Sequence, residues 1–462
     1  MTTRSLTLFE HQTLHLERHG TAFRVPEAHG GAVLTLDDLV GLDEAGEALV
    51  TSPRLGPVFS ASARGRVKAS GWVGVARVGD IQIEVLPKTS WGKAPSDVEH
   101  ARGLFLEMLT YAGYLPPWTD LHAEQTLERL PLYETLVACY VRSLARALRD
   151  GPWSDYVERT EHLTTVRGRI AFPEQLRRNV ARPGRIACQH QPWVADHLLN
   201  QVLVAALRAA RPLARTSRVR RELSRCEDHL GDIDPGNVTA KDCERVRFTR
   251  LNRAYEGPFR WARLILGTHR PNLRGGRQDT FGLLFPMHEV FEAWLARIAH
   301  RYLAGPELRV ESQKVIGHLV HHAKGKRVRQ KPDLLFTETG EAPIAVDAKY
   351  KRYPGLRASE NDLRQVMAYQ ALLAEGAPRR RVVLLYPAGA EEAERTEEGT
   401  LLWPRSAGEP IIELVVASVR LGKHAEQASA RRARVAHRIA ELVRLAPSPK
   451  IAKQLGYSAV NT

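Results

Sequence analysis

The run Ile344-Ala-Val-Asp-Ala-Lys-Tyr350 constrains this chain most, because it sets an aspartate and a lysine into a segment that otherwise reads as a buried strand. Side chains alternate between the two faces of a strand, so Asp347 and Lys349 point one way and Ala348 the other. Unpaired charge on such a strand is costly unless a metal ion or a partner compensates. Upstream stands Lys331-Pro-Asp333, which opens a second expected strand over 333–337, with thirteen residues between the two aspartates. If these strands pair, Asp333, Asp347 and Lys349 converge at one sheet edge. Phosphodiester hydrolysis calls for such a set: two carboxylates to hold Mg²⁺, which polarises the phosphoryl oxygen and activates water, and an ammonium to stabilise developing charge. From the motif alone, an Asp347–Lys349 ion pair at a solvated strand end is an alternative.

A helix expected over 359–375 then supplies Gln365 and Tyr369, which lie four apart on one face. Strand, strand with D-x-K, helix with Q-x-x-x-Y is an order that resembles the PD-(D/E)xK nucleases of the RecB-like type. A preceding helix, expected over 286–303, carries Glu289 and Glu292 beside Phe291 and Trp294. The resemblance implies that Glu292 is brought to the metal or its surroundings. The pair His321-His322 falls at an expected turn and reads as surface polarity.

With 67 Lys+Arg against 52 Asp+Glu, the net charge of the 462 residues is +15. A basic folded surface favours polyanions, nucleic acid first and anionic membrane second. Arginine is densest over 158–190, where Arg159, Arg167, Arg169, Arg177, Arg178, Arg182 and Arg185 face three glutamates, and over 205–225. These stretches read either as solvated helix faces or as a DNA-backbone footprint, the latter placing Arg167, Arg169, Arg177 and Arg178 on duplex DNA. The cysteines Cys139, Cys188, Cys226 and Cys243 lie far apart with no C-x-x-C pair, which argues against a disulfide scaffold or zinc finger and fits a reducing cytoplasm. No signal peptide and no apolar run of 18 residues is expected, so the reading is cytoplasmic with no membrane span.

The length predicts about three domains. The first third reads as strand-rich, with a hairpin of 72–78 and 81–85 closed by Gly79-Asp80 and a helix over 97–113. Residues 133–270 read as mainly helical, and the Pro/Gly break at 270–277 marks the last boundary. Beyond it come strands over 309–321, 333–337, 343–350, 381–386 and 411–416, and a basic helix with a frayed tail. The expected fold is α+β multidomain: a β-rich N-terminal domain over 1–130, an Arg-rich helical region over 131–270, and a PD-(D/E)xK nuclease core with a central mixed sheet over 271–462.

Three separated blocks resemble the McrC family, the nuclease subunit of the McrBC modification-dependent restriction system. The first is Gly71-Trp-Val-Gly-Val-Ala-Arg-Val-Gly-Asp-Ile-Gln-Ile-Glu-Val-Leu-Pro-Lys88 with Leu109-Thr-Tyr-Ala-Gly-Tyr114. The second is Val166-Arg-Gly-Arg-Ile-Ala-Phe172 with Arg177-Arg-Asn179 and Asp196-His-Leu-Leu-Asn200; the third is the Asp333/Asp347/Lys349 cluster with Leu384-Leu-Tyr-Pro387. Lys331 stands where the family usually has arginine before Pro-Asp, and the basic tail after 420 lies outside the blocks. The resemblance implies a Mg²⁺-dependent endonuclease subunit that cuts double-stranded, methylcytosine-type modified DNA. It implies an McrB-like AAA+ ring as partner, into which the N-terminal β-rich part docks, with GTP used by that partner and its GTPase stimulated by this chain. The chain carries no G-x-x-x-x-G-K-[ST] phosphate loop, which agrees with that division. Two other readings are a regulatory adaptor that activates the ring through a DNA-holding nuclease fold, and a stand-alone RecB- or Cas4-like repair nuclease.

Overall fold

The computed structural model describes residues 4–49, 56–88, 95–116, 130–270, 280–321, 326–351, 358–373, 379–389, 392–401, 411–422 and 426–444. Residues 271–277 of the expected Pro/Gly break, His322 with most of its expected turn, and the tail beyond 444 lie outside them. The chain forms two compact units, one from residues 1–115 and 284–462 and one from 116–283. Material from the expected N-terminal and C-terminal regions is thereby joined in one unit.

In the discontinuous unit the expected hairpin forms, with β2 (Trp72–Val78) antiparallel to β3 (Ile81–Leu86) and Val78 opposite Ile81. Gly79 takes φ +60° at the first turn position, where a side chain would be strained. Strand β1 (Arg4–Phe9) lies parallel along β3, in register from Arg4 opposite Ile81 to Phe9 opposite Leu86. All six residues of β3 are buried, including Gln82 and Glu84. The Glu84 carboxylate is held bidentately by Arg102, at 2.7 and 2.6 Å, from α2 (Pro95–Ala112), which supplies the partner a buried charge needs.

Arg4 ties three pieces of chain together. Its guanidinium reaches Asp38 in α1 (Leu36–Ala48) at 2.5 Å and Asp80 in the hairpin turn at 2.7 Å. The same Asp38 closes a capping box with Thr35 at the start of α1. A deeper knot forms around Glu107 of α2, only 5% exposed, which accepts from Arg431 at 3.0 Å and Arg432 at 2.9 Å of the C-terminal helix. The Trp294 indole also donates to it, at 3.4 Å.

The unit 116–283 holds helices α3 (Leu132–Ala147), α5 (Leu198–Ala210), α6 (Ser217–His229) and α7 (Glu256–Thr268) packed on one another. Buried Glu134 accepts from the backbone N–H groups of Arg215 (2.6 Å) and Thr216 (2.9 Å), fixing the entry to α6. The sequence marks this region as mainly helical. The structure adds a small antiparallel sheet, β4 (Arg159–Leu163), β5 (Arg169–Ile170) and β6 (Ile186–His190), with the short helix α4 (Phe172–Arg178) between β5 and β6. The segment's alternation is hidden because its arginines and its exposed Phe172, Leu176 and Val180 both face solvent.

After α8 (Met287–Tyr302), the discontinuous unit builds a six-stranded mixed sheet in the order β7-β10-β11-β12-β14-β13. These are β7 (Leu308–Ser312), β10 (Leu334–Glu338), β11 (Ile344–Ala348), β12 (Arg379–Ala388), β13 (Thr396–Leu401) and β14 (Ile411–Arg420). Strands β8 (Gly317–His321) and β9 (Lys326–Gln330) form a separate hairpin. The expected single strand over 309–321 is therefore two. It breaks at Gln313, whose φ of +52° ends the extended run. β10 and β11 pair antiparallel, β11 and β12 parallel, and α9 (Glu360–Leu372) makes the crossover, burying Val366 and Tyr369 against Leu335, Ala345 and Leu384. The last helix, α10 (Ala428–Leu442), carries Arg431 and Arg432. Among the described residues no helix is long and apolar enough to cross a membrane.

Burial works against the Asp38 carboxylate, but the Arg4 and Thr35 hydrogen bonds outweigh it and hold its pKa below the ordinary value; Arg4 likewise holds Asp80 low. Stability from depressed carboxylates is complete above the unfolded range and is lost as pH falls through the native values. Arg4→Met is expected to cost about 2 kcal/mol near neutral pH and to leave a chain whose stability falls less steeply in acid. Urea unfolding at about pH 7 and about pH 3.5 checks this, and equal acid sensitivity in both proteins would contradict it.

Candidate active site

The antiparallel pairing of β10 with β11 sets Leu334 opposite Val346, and this register decides the site. It brings Asp333, just before β10, against the end of β11, where its Oδ2 accepts the Ala348 N–H at 2.7 Å. One residue earlier in β11, Asp347 is 2% exposed. Its Oδ1 accepts from the Tyr369 hydroxyl at 2.9 Å and the Gln365 amide at 3.2 Å. Its Oδ2 accepts no well-formed hydrogen bond, and the Lys349 ammonium lies 2.5 Å away as its ion-pair partner. Lys349 also donates to Gln365 Oε1 at 2.7 Å, so one glutamine side chain spans the aspartate and the lysine. Tyr369 reaches back to the Lys331 carbonyl at 3.1 Å, which fixes the segment leading into Asp333.

Every residue of the sequence-derived cluster, Asp333, Asp347, Lys349, Gln365 and Tyr369, is thus in one hydrogen-bonded group. Glu292 joins it from α8: the Gln313 amide donates to Asp333 Oδ1 at 2.6 Å and lies 3.5 Å from Glu292 Oε2. Burial first, then the charges of Asp333 and Asp347, push Glu292 well above the carboxylate range. Burial and then Asp347 do the same to Asp333. Burial, followed by the Asp347 charge, drives the Tyr369 hydroxyl upward, so it stays a proton donor. Among the described residues no three His, Cys, Asp or Glu side chains form a ready-made metal cage.

Asp333, Gln365 and Tyr369 of this cluster line a cleft of about 910 Å³, together with His288, Glu289, Glu292, Arg297 and His300 of α8 and with Arg329 and Lys331. Sequence reading missed Arg297 and Arg329, and it missed Asp362. That buried carboxylate binds Lys351 at 2.6 Å and Tyr386 at 2.9 Å and stands 4.0 Å from Lys349. The Ser359-x-x-Asp362 capping spacing was a usable signal for it. Gln313 had no signal at all. Arg167, Arg169, Arg177 and Arg178 belong to the other compact unit, where all four are exposed and Arg177 and Arg178 both pair with Glu174.

A family model described as the McrBC 5-methylcytosine restriction system component matches residues 67–387. The chain belongs to this family. The match spans all three sequence blocks that carried the McrC resemblance. Among solved structures, this McrBC-family chain is similar to one in a half-complex from the tetradecameric assembly of Thermococcus gammatolerans McrB AAA+ hexamers with bound McrC. Identity is 21%, 94% of this chain and 99% of that chain are covered, and the TM-score is 0.68, which establishes a shared fold. A chain of the Thermococcus gammatolerans McrBC complex matches at 24% identity over 65% of this chain and 88% of that one, with a TM-score of 0.49. No curated protein matches the chain.

Because Glu292 is held above its ordinary pKa, its ionised form costs stability at alkaline pH and costs nothing below the unfolded carboxylate range. Glu292→Gln should therefore stabilise the metal-free protein by about 1 kcal/mol near pH 9, with the gain vanishing toward pH 4. Thermal melts across that range test it. A gain that is constant with pH would place the effect elsewhere.

Proposed function

We propose that this chain is the DNA-cutting subunit of a modification-dependent restriction complex, with a PD-(D/E)xK-type site formed by Asp333, Asp347 and Lys349. The carrying observation is the convergence of these three groups with Gln365 and Tyr369, beside a cleft that Asp333, Gln365 and Tyr369 line and whose Arg297, Arg329 and Lys331 form no ion pair among the described residues. Cations left without counter-ions beside an acidic cluster suit a phosphodiester backbone, which meets both.

The residues fit a divalent cation. Asp347 Oδ2 is buried with no well-formed hydrogen bond, Asp333 faces it, and the donors are hard carboxylate oxygens of the kind Mg²⁺ prefers. Mg²⁺ held by Asp333 and Asp347 would polarise the phosphoryl oxygen and acidify a bound water. The chain's own groups supply the rest. Tyr369 and Gln365 lock the Asp347 carboxylate, and the Ala348 N–H locks Asp333, so neither needs to reorganise during reaction. Lys349, ion-paired with Asp347 at 2.5 Å, is placed to stabilise negative charge at the phosphorus or to orient the nucleophile. Arg297 is five residues beyond Glu292 on α8, about 7.5 Å along the helix, and grips phosphates next to the reacting one.

The similar Thermococcus gammatolerans structure has McrB AAA+ hexamers with bound McrC, and the family description names 5-methylcytosine. The partner of this chain is accordingly an McrB-like AAA+ GTPase ring whose hydrolysis the chain stimulates, and the substrate is modified double-stranded DNA.

In the complex with that partner, Asp347→Ala should abolish cutting while GTPase stimulation survives. Cleavage at the wild-type rate would remove Asp347 from the site, and efficient cutting with no partner or GTP would favour a stand-alone nuclease. Charge reversal at Arg297 or Arg329 should lower DNA affinity and flatten log Kd against log salt by about one unit per lost phosphate contact. The same slope reduction from Arg177→Glu with Arg178→Glu, and none from the cleft variants, would move the DNA contact to the other unit.

A further inference from the structure

Gln313 has the only side-chain amide that touches both Asp333 and Glu292 among the described residues, and its backbone is strained to place it there. A non-glycine residue at φ +52° is disfavoured because Cβ crowds the carbonyl oxygen. What accompanies the strain is local. The Gln313 N–H donates to the Asp333 carbonyl at 3.1 Å, turning the chain so that its side chain folds back over the Asp333 carboxylate. Asp333 Oδ2 accepts the Ala348 N–H, and among the described residues Oδ1 accepts only from Gln313. Gln313 Nε2 covers that oxygen at 2.6 Å and sits 3.5 Å from Glu292 Oε2.

We propose that Gln313 is a gate for the divalent cation: its NH₂ group occupies the place between Asp333 Oδ1 and Glu292 Oε2 and must leave before a metal ion can take both oxygens. An amide dipole can bridge two carboxylates by hydrogen bonds, but it carries no net charge to neutralise them. It therefore holds the pair together in the ion-free state while remaining a weak competitor for a dication. Gln313 is exposed, and the described structure gives its side chain no other hydrogen-bond partner, so rotation into solvent frees both oxygens without moving the sheet. The hinge is at hand, because the strand is already broken at this residue. A closed majority state reduces apparent metal affinity by the fraction of molecules that are open. Metal loading is thereby coupled to whatever favours the open form, and a phosphate oxygen that accepts from the released NH₂ is one such influence.

This rests on the metal reading of Asp333 and Asp347, and the experiment separates the two. Two substitutions are compared in the full chain: Gln313→Met, which keeps the shape and the strained backbone but removes the amide, and Gln313→Gly, which also relieves the strain. Mg²⁺ and Mn²⁺ binding is measured by calorimetry, without DNA, alongside metal-free melting. Both variants should bind the ions more tightly, by roughly three-fold to ten-fold, and Gln313→Met should melt lower without metal than the wild type. Unchanged affinity in both variants would overturn the gate while leaving the metal site standing. Weaker binding in both would make Gln313 a ligand or an organiser of one, again ending the gate. Saturable binding that persists unaltered in Asp333→Asn, or no binding by any of the proteins, would sink the metal reading and the gate with it.

Discussion

A buried carboxylate with too few partners would unfold a sheet of this size, and Asp347 is held in place only because three side chains from two elements meet it. Removing such a charge from water is a penalty of several kcal/mol unless ion pairing and hydrogen bonds offset it. Lys349 comes from the same strand, while Gln365 and Tyr369 come from α9, which must cross between β11 and β12 for the two strands to run parallel. The topology of the mixed sheet and the solvation of one aspartate are therefore the same requirement. If α9 shifted by a residue, its i, i+4 pair would leave Asp347 Oδ1, and Lys349 alone would face the buried carboxylate near the end of the strand.

Around that anchored aspartate the site is kept under tension. Glu292 and Asp333 are half-buried and mutually repelling, Gln313 is in a strained turn, and none of these features benefits the fold taken alone. What contains the tension lies behind the site. The α8 face opposite Glu292 buries Phe291, Trp294, Leu295 and Ile298, and Trp294 ends on the Glu107 carboxylate that Arg431 and Arg432 neutralise. A second support is Lys88, two residues beyond β3, which donates to the Tyr350 carbonyl at 3.3 Å and sits over the Tyr350 ring. Tyr350 in turn contacts Phe291, so the residues adjoining Lys349 and Glu292 brace one another.

The candidate cluster was legible in the sequence because its features are local: Asp347 and Lys349 interrupt an apolar strand, and Gln365 and Tyr369 share a helix face. The hairpin at Gly79 was legible for a similar reason, since a glycine at a defined turn position has few alternatives. What escaped notice depends on distant pairing. Nothing in the run from Arg309 to His321 marks Gln313 as a break, because the turn is stabilised by the Asp333 carbonyl twenty residues on. The sheet of β4, β5 and β6 was hidden by solvent-facing arginines, and Arg297 looked like any helix-surface charge until the cleft gave it a neighbour. Charge density drew attention to Arg177 and Arg178, which share Glu174, whereas the cleft cations that form no ion pair among the described residues are scattered through the sequence.

The discontinuous unit has a consequence for how the protein is made. Glu107 waits for arginines 324 and 325 positions further along the chain, and Lys88 for a carbonyl 262 positions on. As the polypeptide leaves the ribosome, the segment 116–283 can complete its own helices, but the unit on either side of it must hold its first half open until the last helix is translated. A product that stops before α10 thus lacks the arginines that neutralise Glu107, and with them the brace behind Glu292.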